Sequence, residues 1–294
     1  MKNDFGKIVT AMVTPFDNKN NLDIAAIKGL VNHLEKTGSE SLVLAGTTGE
    51  GPTLTENEKM ILLKEVLKQK APETKIIMNV GTNNTNETIL NAKKWSEQDG
   101  VDGIMVVCPY YNKPSQRGLY AHFEAVNRNV NKPIMVYHIP GRTNVIMESD
   151  TMIKVARLSN VSMLKDAEGN IEKLSMVISD TKEDWFVYSG DDPSILEYLE
   201  IGAKGVVSVA SHIKGSKLQE LFTHFENGNK TKAREVQKEI KDSSKFLFPS
   251  YAPNPVPIKY ALSKMKMINS SVRLPLTEMD VEEKDNVVNG LRIS

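Results

Sequence analysis

A lysine ends an apolar run in the segment VSMLKDAEGN (161–170), where a buried strand would be expected to finish. Lysine is seldom fully buried without a partner. If Lys165 lies in an enclosed site, burial lowers its pKa and favours a neutral amine that can attack a carbonyl carbon. The ordinary alternative is a solvated ion pair with the adjacent Asp166. The segment alone leaves both interpretations open.

Other residues with useful chemistry follow further apolar runs. They carry hydroxyl groups or a guanidinium: Thr47 and Thr48 in GTTGEG (46–51), Tyr110 and Tyr111 in PYYNKP (109–114), and Tyr137 and Arg142 in YHIPGRT (137–143). Together with a lysine, this set suits imine chemistry on a carbonyl acid. Tyrosine and threonine would pass protons, and arginine would bind a carboxylate through two hydrogen bonds.

Each of these residues also has an ordinary structural explanation. Adjacent tyrosines often pack or lie at interfaces, an arginine after a Pro-Gly turn is usually a surface cation, and paired threonines often begin a helix. Cys108 is best explained as a small buried apolar residue. The five histidines are scattered without metal-ligand spacing, so no metal site is predicted. The chemical interpretation therefore depends on a fold that gathers these residues.

Eight short apolar runs recur along the chain and predict such a fold. They are IVTAMVTPF (8–16), SLVLAG (41–46), KIIMNVG (75–81), GIMVVCP (103–109), PIMVYHIP (133–140), VSMLKDA (161–167), WFVYSG (185–190) and GVVSVA (205–210). Continuous runs of this kind are typical of parallel strands buried on both faces. Segments with helical periodicity lie between them, such as 55–70 and 84–98. The pattern predicts a (β/α)8 barrel, whose strands carry chemistry at their carboxyl ends.

An open doubly wound sheet is the competing architecture, although no G-x-G-x-x-G segment follows the first strand. We expect a barrel over residues 1–227. Residues 228–294 are expected to form a C-terminal helical extension packed on it, with helical segments in 229–248, 253–265 and 280–291.

Composition excludes several classes of protein. The 294 residues include 37 basic and 37 acidic side chains, so no charge excess indicates a nucleic-acid partner. A single cysteine excludes an internal disulfide and suits a reducing cytoplasm. No apolar run approaches the roughly 18 residues that a membrane helix needs. We therefore expect a soluble cytoplasmic protein with no membrane partner, and the residue set that suits imine chemistry requires no cofactor.

The motifs in their order along the chain carry a family resemblance. They are AMVTPF, GTTGE, PYYNKPSQRGLYAHF, YHIPGRT, LKDAEGN, YSGDD, GVVSVAS, NPVPIKYAL and VRLPL. The chain resembles the 4-hydroxy-tetrahydrodipicolinate synthase family, also called dihydrodipicolinate synthases, within the pyruvate-dependent class I aldolases. The resemblance implies a TIM barrel, usually a homotetramer made of two tight dimers, and the substrates pyruvate and L-aspartate 4-semialdehyde.

The resemblance also implies roles for individual residues. For catalysis they are the Schiff-base lysine Lys165, the proton-relay tyrosine Tyr137, its hydrogen-bonded partner Thr47, and Tyr111, lent by the neighbouring subunit. For binding they are Thr48, Gly190 and Val207 at pyruvate and Arg142 at the carboxylate of the aldehyde substrate.

Two positions near these residues depart from the family pattern. His138 stands where asparagine is common, and strand alternation puts it on the opposite face from Tyr137, packing outward among helices. Gly51 stands where serine is usual.

The pocket that binds lysine in feedback-inhibited members is also altered. Asn83, Glu87 and Tyr110 match pocket residues, but Glu56 and Lys59 replace its two histidines. Because Lys59 would repel a cationic effector, we expect weak or absent inhibition by L-lysine.

Two other functions remain open from the sequence. One is another aldolase on the same scaffold, an N-acetylneuraminate lyase or a 2-keto-3-deoxy sugar-acid aldolase. Arg142 suits a short carboxylate-bearing aldehyde better than a polyol chain and so argues against these. The other is a non-catalytic barrel that binds a keto acid, which would not require the lysine, threonines and tyrosines together.

Overall fold

Eight parallel strands form a closed barrel in chain order in the computed structural model, which describes residues 4–181 and 183–293. The strands are β1 (Ile8–Ala11), β2 (Ser41–Leu44), β3 (Lys75–Asn79), β4 (Gly103–Val107), β5 (Ile134–His138), β6 (Val161–Asp166), β7 (Phe186–Ser189) and β8 (Gly205–Ser208). The predicted TIM barrel is therefore confirmed, and the open sheet is excluded.

Helices alternate with these strands and continue after them. They are α1 (Ile24–Lys36), α2 (Glu56–Gln69), α3 (Thr85–Ser96), α4 (Gln116–Asn127), α5 (Pro140–Thr143), α6 (Ser149–Ala156), α7 (Ile171–Ser179), α8 (Ile195–Glu200), α9 (Ser211–Glu226), α10 (Lys230–Leu247), α11 (Val256–Lys264) and α12 (Val281–Leu291). Two short 3₁₀ turns cover Gly51–Thr53 and Asp192–Ser194. No helix in the described ranges is long and apolar enough to span a bilayer.

Each strand lies inside one of the predicted apolar runs but is shorter than the run. The run 8–16 shows the reason, because strand pairing stops at Ala11 while Met12, Val13 and Phe16 stay buried. The N–H of Val13 donates to Nε2 of His212. An apolar run indicates that its residues are buried and does not show where strand pairing stops. The loop after β1 can stay buried because a side chain accepts a hydrogen bond from its backbone N–H. Its residues are therefore as apolar as those of the strand.

Local signals also set the helix starts. Thr55 and Glu58 form a reciprocal capping box at α2, and the Asn84 side chain accepts from two N–H groups at the start of α3. These contacts satisfy donors that the first helical turn leaves unpaired. The three helical segments predicted in the C-terminal part correspond to α10, α11 and α12.

The chain groups into two compact units. The first comprises Lys75–Val207 with the N-terminal residues through Lys7, and the second comprises Ile8–Thr74 with the residues from Ser208 onward. The first unit contains Lys165, and the second contains the GTTGEG loop. The division of the chain at residue 227 into barrel and extension stays a prediction.

Candidate active site

Lys165 lies near the end of β6 and is only 6% exposed. In the strand register, Lys165 pairs with Tyr137 of the neighbouring strand β5. The Lys165 Nζ lies 4.2 Å from the centroid of the Tyr137 ring. The neighbouring Asp166 accepts hydrogen bonds from His138 and Tyr198. The solvated Lys165–Asp166 ion pair, the ordinary alternative for this segment, is therefore wrong. The amine is enclosed beside an aromatic hydroxyl-bearing side chain.

The surroundings of Lys165 favour its neutral form. Burial lowers the pKa of Lys165 to about 8, the Asp192 carboxylate opposes this shift, and the Arg142 guanidinium adds to it. Asp192 is buried in the turn after β7, and Arg142 is an exposed residue of α5. With a pKa of about 8, roughly a tenth of the amine is neutral at pH 7. A lysine with its ordinary pKa would be almost wholly charged.

Gly190 provides the space in which the lysine side chain lies. Its N–H donates to the carbonyl oxygen of Asp166 at 2.6 Å. A Cβ atom at this position would lie 3.1 Å from Cε of Lys165 and 2.9 Å from the Asp166 carbonyl oxygen. Glycine is therefore required chiefly by the close approach of the Asp166 backbone, with the lysine side chain next to it. Val207, the other predicted pyruvate-lining residue of this unit, is buried in β8 at 1% exposure.

A second group of titratable side chains lies beside Lys165. Among the described residues, one group of side chains could hold a metal ion. It consists of His138, Asp166 and Glu168, whose potential ligand atoms lie within 4.8 Å of one another. The group is already satisfied, since His138 Nδ1 lies 2.7 Å from Asp166 Oδ1 and Lys173 Nζ lies 2.6 Å from Glu168 Oε2. The Lys173 ammonium already supplies the positive charge that a metal ion would bring to Glu168, so the set does not fit a metal site.

The GTTGEG loop lies in the second compact unit. Thr48 is buried, and its Oγ1 lies 2.9 Å from the Asn254 amide nitrogen, while Thr47 is partly exposed. Glu50 ends the loop in a buried ion pair, with its Oε1 2.6 Å from Nζ of Lys259. The backbone N–H of Arg273 donates to the second Glu50 oxygen. The loop is thus anchored by its glutamate to α11 and to the segment between α11 and α12.

The departure at Gly51 has a steric reason. A Cβ atom on Gly51 would lie 1.9 Å from the carbonyl oxygen of Ala45, whose own φ is +53°. Serine, the usual family residue at this position, cannot enter this loop conformation. Here glycine lets the backbone fold tightly onto the end of β2.

The remaining predicted residues are at the surface or partly exposed. Tyr111 is 87% exposed with φ of +73°, and Tyr110 is 39% exposed. The other candidates of the effector pocket divide between the two units: Asn83 and Glu87 in the first, Glu56 and Lys59 in the second. Asn83 and Lys59 are half-buried, whereas Glu56 and Glu87 are exposed.

Sequence reasoning overlooked several side chains of these surroundings. Asp192 lies in the YSGDD motif without an assigned role, and NPVPIKYAL contains both Asn254 and Lys259. Strand alternation after Lys165 would have placed Asp166 on the opposite face. Nothing in the sequence indicated that Tyr198 would meet it.

The chain matches known proteins over nearly its full length. A 4-hydroxy-tetrahydrodipicolinate synthase of Listeria monocytogenes is 44% identical over 281 residues, which cover 95% of each chain. A dihydrodipicolinate synthase structure from Bacillus anthracis superposes with a TM-score of 0.94 at 41% identity, covering 98% of each chain.

A second solved structure and a family model extend this comparison. A structure described as the first monomeric dihydrodipicolinate synthase variant gives a TM-score of 0.93 at 34% identity, covering 99% of this chain and 98% of its own. The model of the dihydrodipicolinate synthetase family matches residues 4–293. This chain therefore belongs to the dihydrodipicolinate synthetase family.

Proposed function

We propose that this enzyme condenses pyruvate with L-aspartate 4-semialdehyde to 4-hydroxy-tetrahydrodipicolinate, through an imine on Lys165. The observation that carries the mechanism is the buried amine of Lys165, held over the Tyr137 ring with its pKa lowered to about 8. The relatives are named for the product of this reaction. The two substrates are those that the family resemblance implies, and the chemistry of the site is consistent with them.

In the first step, the neutral Lys165 amine attacks the keto carbon of pyruvate. One proton moves from the nitrogen of the tetrahedral adduct to its oxygen, a second is delivered to that oxygen through Tyr137, and water leaves, which gives a protonated imine. The positive imine nitrogen then acidifies the methyl group, and loss of a methyl proton gives the enamine. Tyr137 is the proposed proton carrier, because its ring lies next to the Lys165 amine and its hydroxyl group can carry a proton.

In the second step, the enamine carbon attacks the aldehyde carbon of the semialdehyde and forms the new carbon–carbon bond, and the aldehyde oxygen takes up a proton returned through Tyr137 to become the hydroxyl group. The amino group of the bound substrate then displaces Lys165 from the imine carbon, which closes the ring and releases the free lysine. Arg142 is the proposed ligand of the aldehyde substrate's carboxylate, since it is exposed and close enough to influence the pKa of Lys165. Thr48, Gly190 and Val207 are the proposed pyruvate-binding residues.

Two further residues are proposed to take part in the proton relay, one from the second compact unit and one from a neighbouring subunit. Thr47 is assigned as the hydroxyl partner of Tyr137 by family resemblance. Tyr111 is assigned to a neighbouring subunit's site, because a tyrosine that is 87% exposed on its own chain can serve another. By the family resemblance, we propose a homotetramer of two tight dimers in which this sharing takes place. Tyr111→Phe should lower turnover without changing the melting temperature, and unchanged turnover would contradict a shared site.

The imine is tested by borohydride reduction in the presence of pyruvate. We expect a mass increase on the peptide that contains Lys165, absent in Lys165→Ala and in a sample without pyruvate. An unlabelled Lys165 peptide would refute the mechanism.

The substrate is tested by turnover of pyruvate with L-aspartate 4-semialdehyde beside cleavage of N-acetylneuraminate and 2-keto-3-deoxygluconate. Cleavage of a sugar acid alone would retain the imine and refute the proposed substrate. The same assay with L-lysine added tests regulation, where we expect no strong inhibition at submillimolar concentrations because Lys59 replaces a histidine of the effector pocket.

A further inference from the structure

A hydrogen-bonded cluster lies directly behind the pair formed by Lys165 and Tyr137. Its centre is the Asp166 carboxylate, which is 1% exposed. Oδ1 of Asp166 lies 2.7 Å from Nδ1 of His138, and Oδ2 accepts from the Tyr198 hydroxyl at 2.6 Å. His138 is itself 0% exposed and belongs to β5, whereas Tyr198 belongs to α8. One carboxylate thus ties two strands and a helix together.

The hydrogen bonds define the protonation state of the cluster. The N–H of Met147 can only donate, and it lies 3.1 Å from Nε2 of His138. Nε2 must therefore be the acceptor, and Nδ1 carries the hydrogen that is donated to Asp166. Burial opposes ionisation of Asp166, but the bonds from His138 and Tyr198 outweigh it and hold the pKa of this carboxyl below its ordinary value. A neutral imidazole and an ionised carboxylate satisfy every contact.

Other charged groups that face the cluster are themselves paired. Lys173 Nζ donates to the Met147 carbonyl oxygen and to Glu168 Oε2, both at 2.6 Å. Glu168 Oε2 lies 3.8 Å from His138 Nδ1. The arrangement extends from α8 through both strands to α7 and is fully buried at its centre.

The strand register gives this cluster its significance. Tyr137 pairs with Lys165, and the next residues, His138 and Asp166, pair with each other. Because successive side chains of a strand point to opposite faces, the reacting pair occupies one face and the hydrogen-bonded pair the other. The Asp166 carbonyl oxygen also accepts from the N–H of Gly190. A shift of Asp166 would therefore move Lys165, Tyr137 and Gly190 together.

We propose that Asp166, held by His138 and Tyr198, is a positioning residue that sets the placement of Lys165 relative to Tyr137 and Gly190 for imine formation. The inference rests on the proposed function, because imine formation is the step it accelerates. His138 belongs to this network and stands where the family pattern often has asparagine. It supplies a donor to Asp166 on one ring nitrogen and an acceptor for Met147 on the other.

The test compares Asp166→Asn, His138→Asn and Tyr198→Phe by rapid-quench borohydride trapping of pyruvate, at a temperature where each variant is folded. We expect the rate of imine formation to fall about 10- to 100-fold in Asp166→Asn, and about 3- to 10-fold in the other two. His138→Asn keeps a donor for Asp166 and carries an acceptor as well, but we expect its shorter side chain not to reach Asp166 and Met147 together. Its loss should therefore be smaller. Should Asp166→Asn fail to fold, these two milder variants still decide the question.

The matched control is His122→Asn, which alters a buried histidine of the same unit that bonds to Thr85 instead of Asp166. It should lose stability without slowing imine formation. We also expect the double variant His138→Asn/Asp166→Asn to trap pyruvate no more slowly than Asp166→Asn, since both changes disable one network. Wild-type trapping rates in folded Asp166→Asn, or losses that multiply in the double variant, would overturn the proposal.

A separate readout distinguishes this inference from the proposed function. Formaldehyde with cyanoborohydride methylates the Lys165 amine whatever the natural substrate is, and we expect its rate to change at least threefold in Asp166→Asn. Absence of pyruvate trapping in the wild type would refute the proposed function. Equal methylation of Lys165 in the wild type and Asp166→Asn would refute the positioning network.

Discussion

Two lysines are buried in separate units of this protein, and their surroundings differ in one respect. Lys165 and Lys259 each lie 4.2 Å from an aromatic centroid, Tyr137 for the first and Phe16 for the second. Burial lowers the pKa of each to about 8. Lys259, however, has the Glu50 carboxylate at 2.6 Å, whereas in the described ranges no carboxylate forms such an ion pair with Lys165.

This difference separates a structural lysine from a reactive one. The ammonium of Lys259 is stabilised by a carboxylate that would itself be costly to bury alone, so the two groups are held together. Burial and the Arg142 guanidinium oppose the charge of Lys165, and the Asp192 carboxylate favours it. A lowered pKa alone therefore does not identify a nucleophile. The amine must also lack an ion pair that fixes its charge, as Lys165 does within the described ranges.

The largest expected effect is on turnover in Lys165→Met. Turnover should fall by at least about 10³-fold, because no other described amine lies in the site to form the imine. The free energy of unfolding at pH 7 should stay the same or rise by up to about 3 kcal/mol, since a pKa lowered to about 8 means that the folded state disfavours the ammonium. Coupled enzyme assays and urea unfolding measure the two quantities. If Lys165→Met were strongly destabilised, Lys165 would have a structural role like that of Lys259, and the distinction between the two lysines would be wrong.

Lys259→Met should show the opposite result. Removing one member of a buried ion pair leaves Glu50 without its ammonium, and the expected loss is about 3–5 kcal/mol of the free energy of unfolding. Folded Lys259→Met should still trap pyruvate on Lys165. Lys264→Met is the control, because Lys264 lies on the same helix but is exposed, and it should change stability by no more than about 0.5 kcal/mol.

The double variant Glu50→Gln/Lys259→Met sharpens this result. With both charges removed, much of the lost stability should return, because the cost arises from the unpaired carboxylate. Equal destabilisation in the single and double variants would show that the ion pair does not explain the burial of Lys259.

Gly190→Ala should produce a smaller effect, on the Lys165 side chain and on the Asp166 backbone beside it. The added methyl group would stand 3.1 Å from Cε of Lys165 and 2.9 Å from the Asp166 carbonyl oxygen, so both groups must give way. We expect kcat/KM for pyruvate to fall about tenfold, equivalent to about 1.4 kcal/mol. Gly141→Ala is the control, because a Cβ there meets nothing within 4 Å. Equal activity in both variants would mean that Lys165 has more freedom than its packing indicates.

The barrel could be predicted from the sequence because each strand is a continuous apolar run, and burial on both faces dictates that composition. The placement of Lys165 followed from the same pattern, as it ends the β6 run. The limits appeared where a polar side chain meets a partner far along the chain. Asp166 was interpreted beside Lys165, its neighbour in sequence, whereas its partners are 28 and 32 residues away.

The second buried lysine was overlooked for the same reason. Lys259 follows a proline-rich segment and has no local feature that marks it as buried, since its partner Glu50 is 209 residues away. Gly51 could be recognised as a departure from the family, but its steric cause depends on the positive φ of Ala45. Such contacts come from tertiary packing, which periodicity does not report.

The smallest expected effect is on the pH dependence of imine formation. The folded-state pKa of Lys165 lies below that of free lysine, so the reactive neutral amine increases as pH rises through about 8 and then levels off. The initial trapping rate should therefore rise about fivefold from pH 7 to 8, and less than about twofold from pH 8 to 9. A rate that keeps rising tenfold per pH unit up to pH 10 would indicate an ordinary lysine.

Two substitutions should move this midpoint in opposite directions. Asp192→Asn removes a carboxylate that raises the pKa of Lys165, so the midpoint should fall and trapping at pH 7 should become faster. Arg142→Gln removes a cation that lowers the same pKa, so its midpoint should rise. Rate profiles measured with saturating pyruvate separate these shifts from any loss of binding. Because Lys259 is paired with Glu50, neither substitution should change its environment, and shifts of the same sign in both variants would contradict the assigned electrostatics.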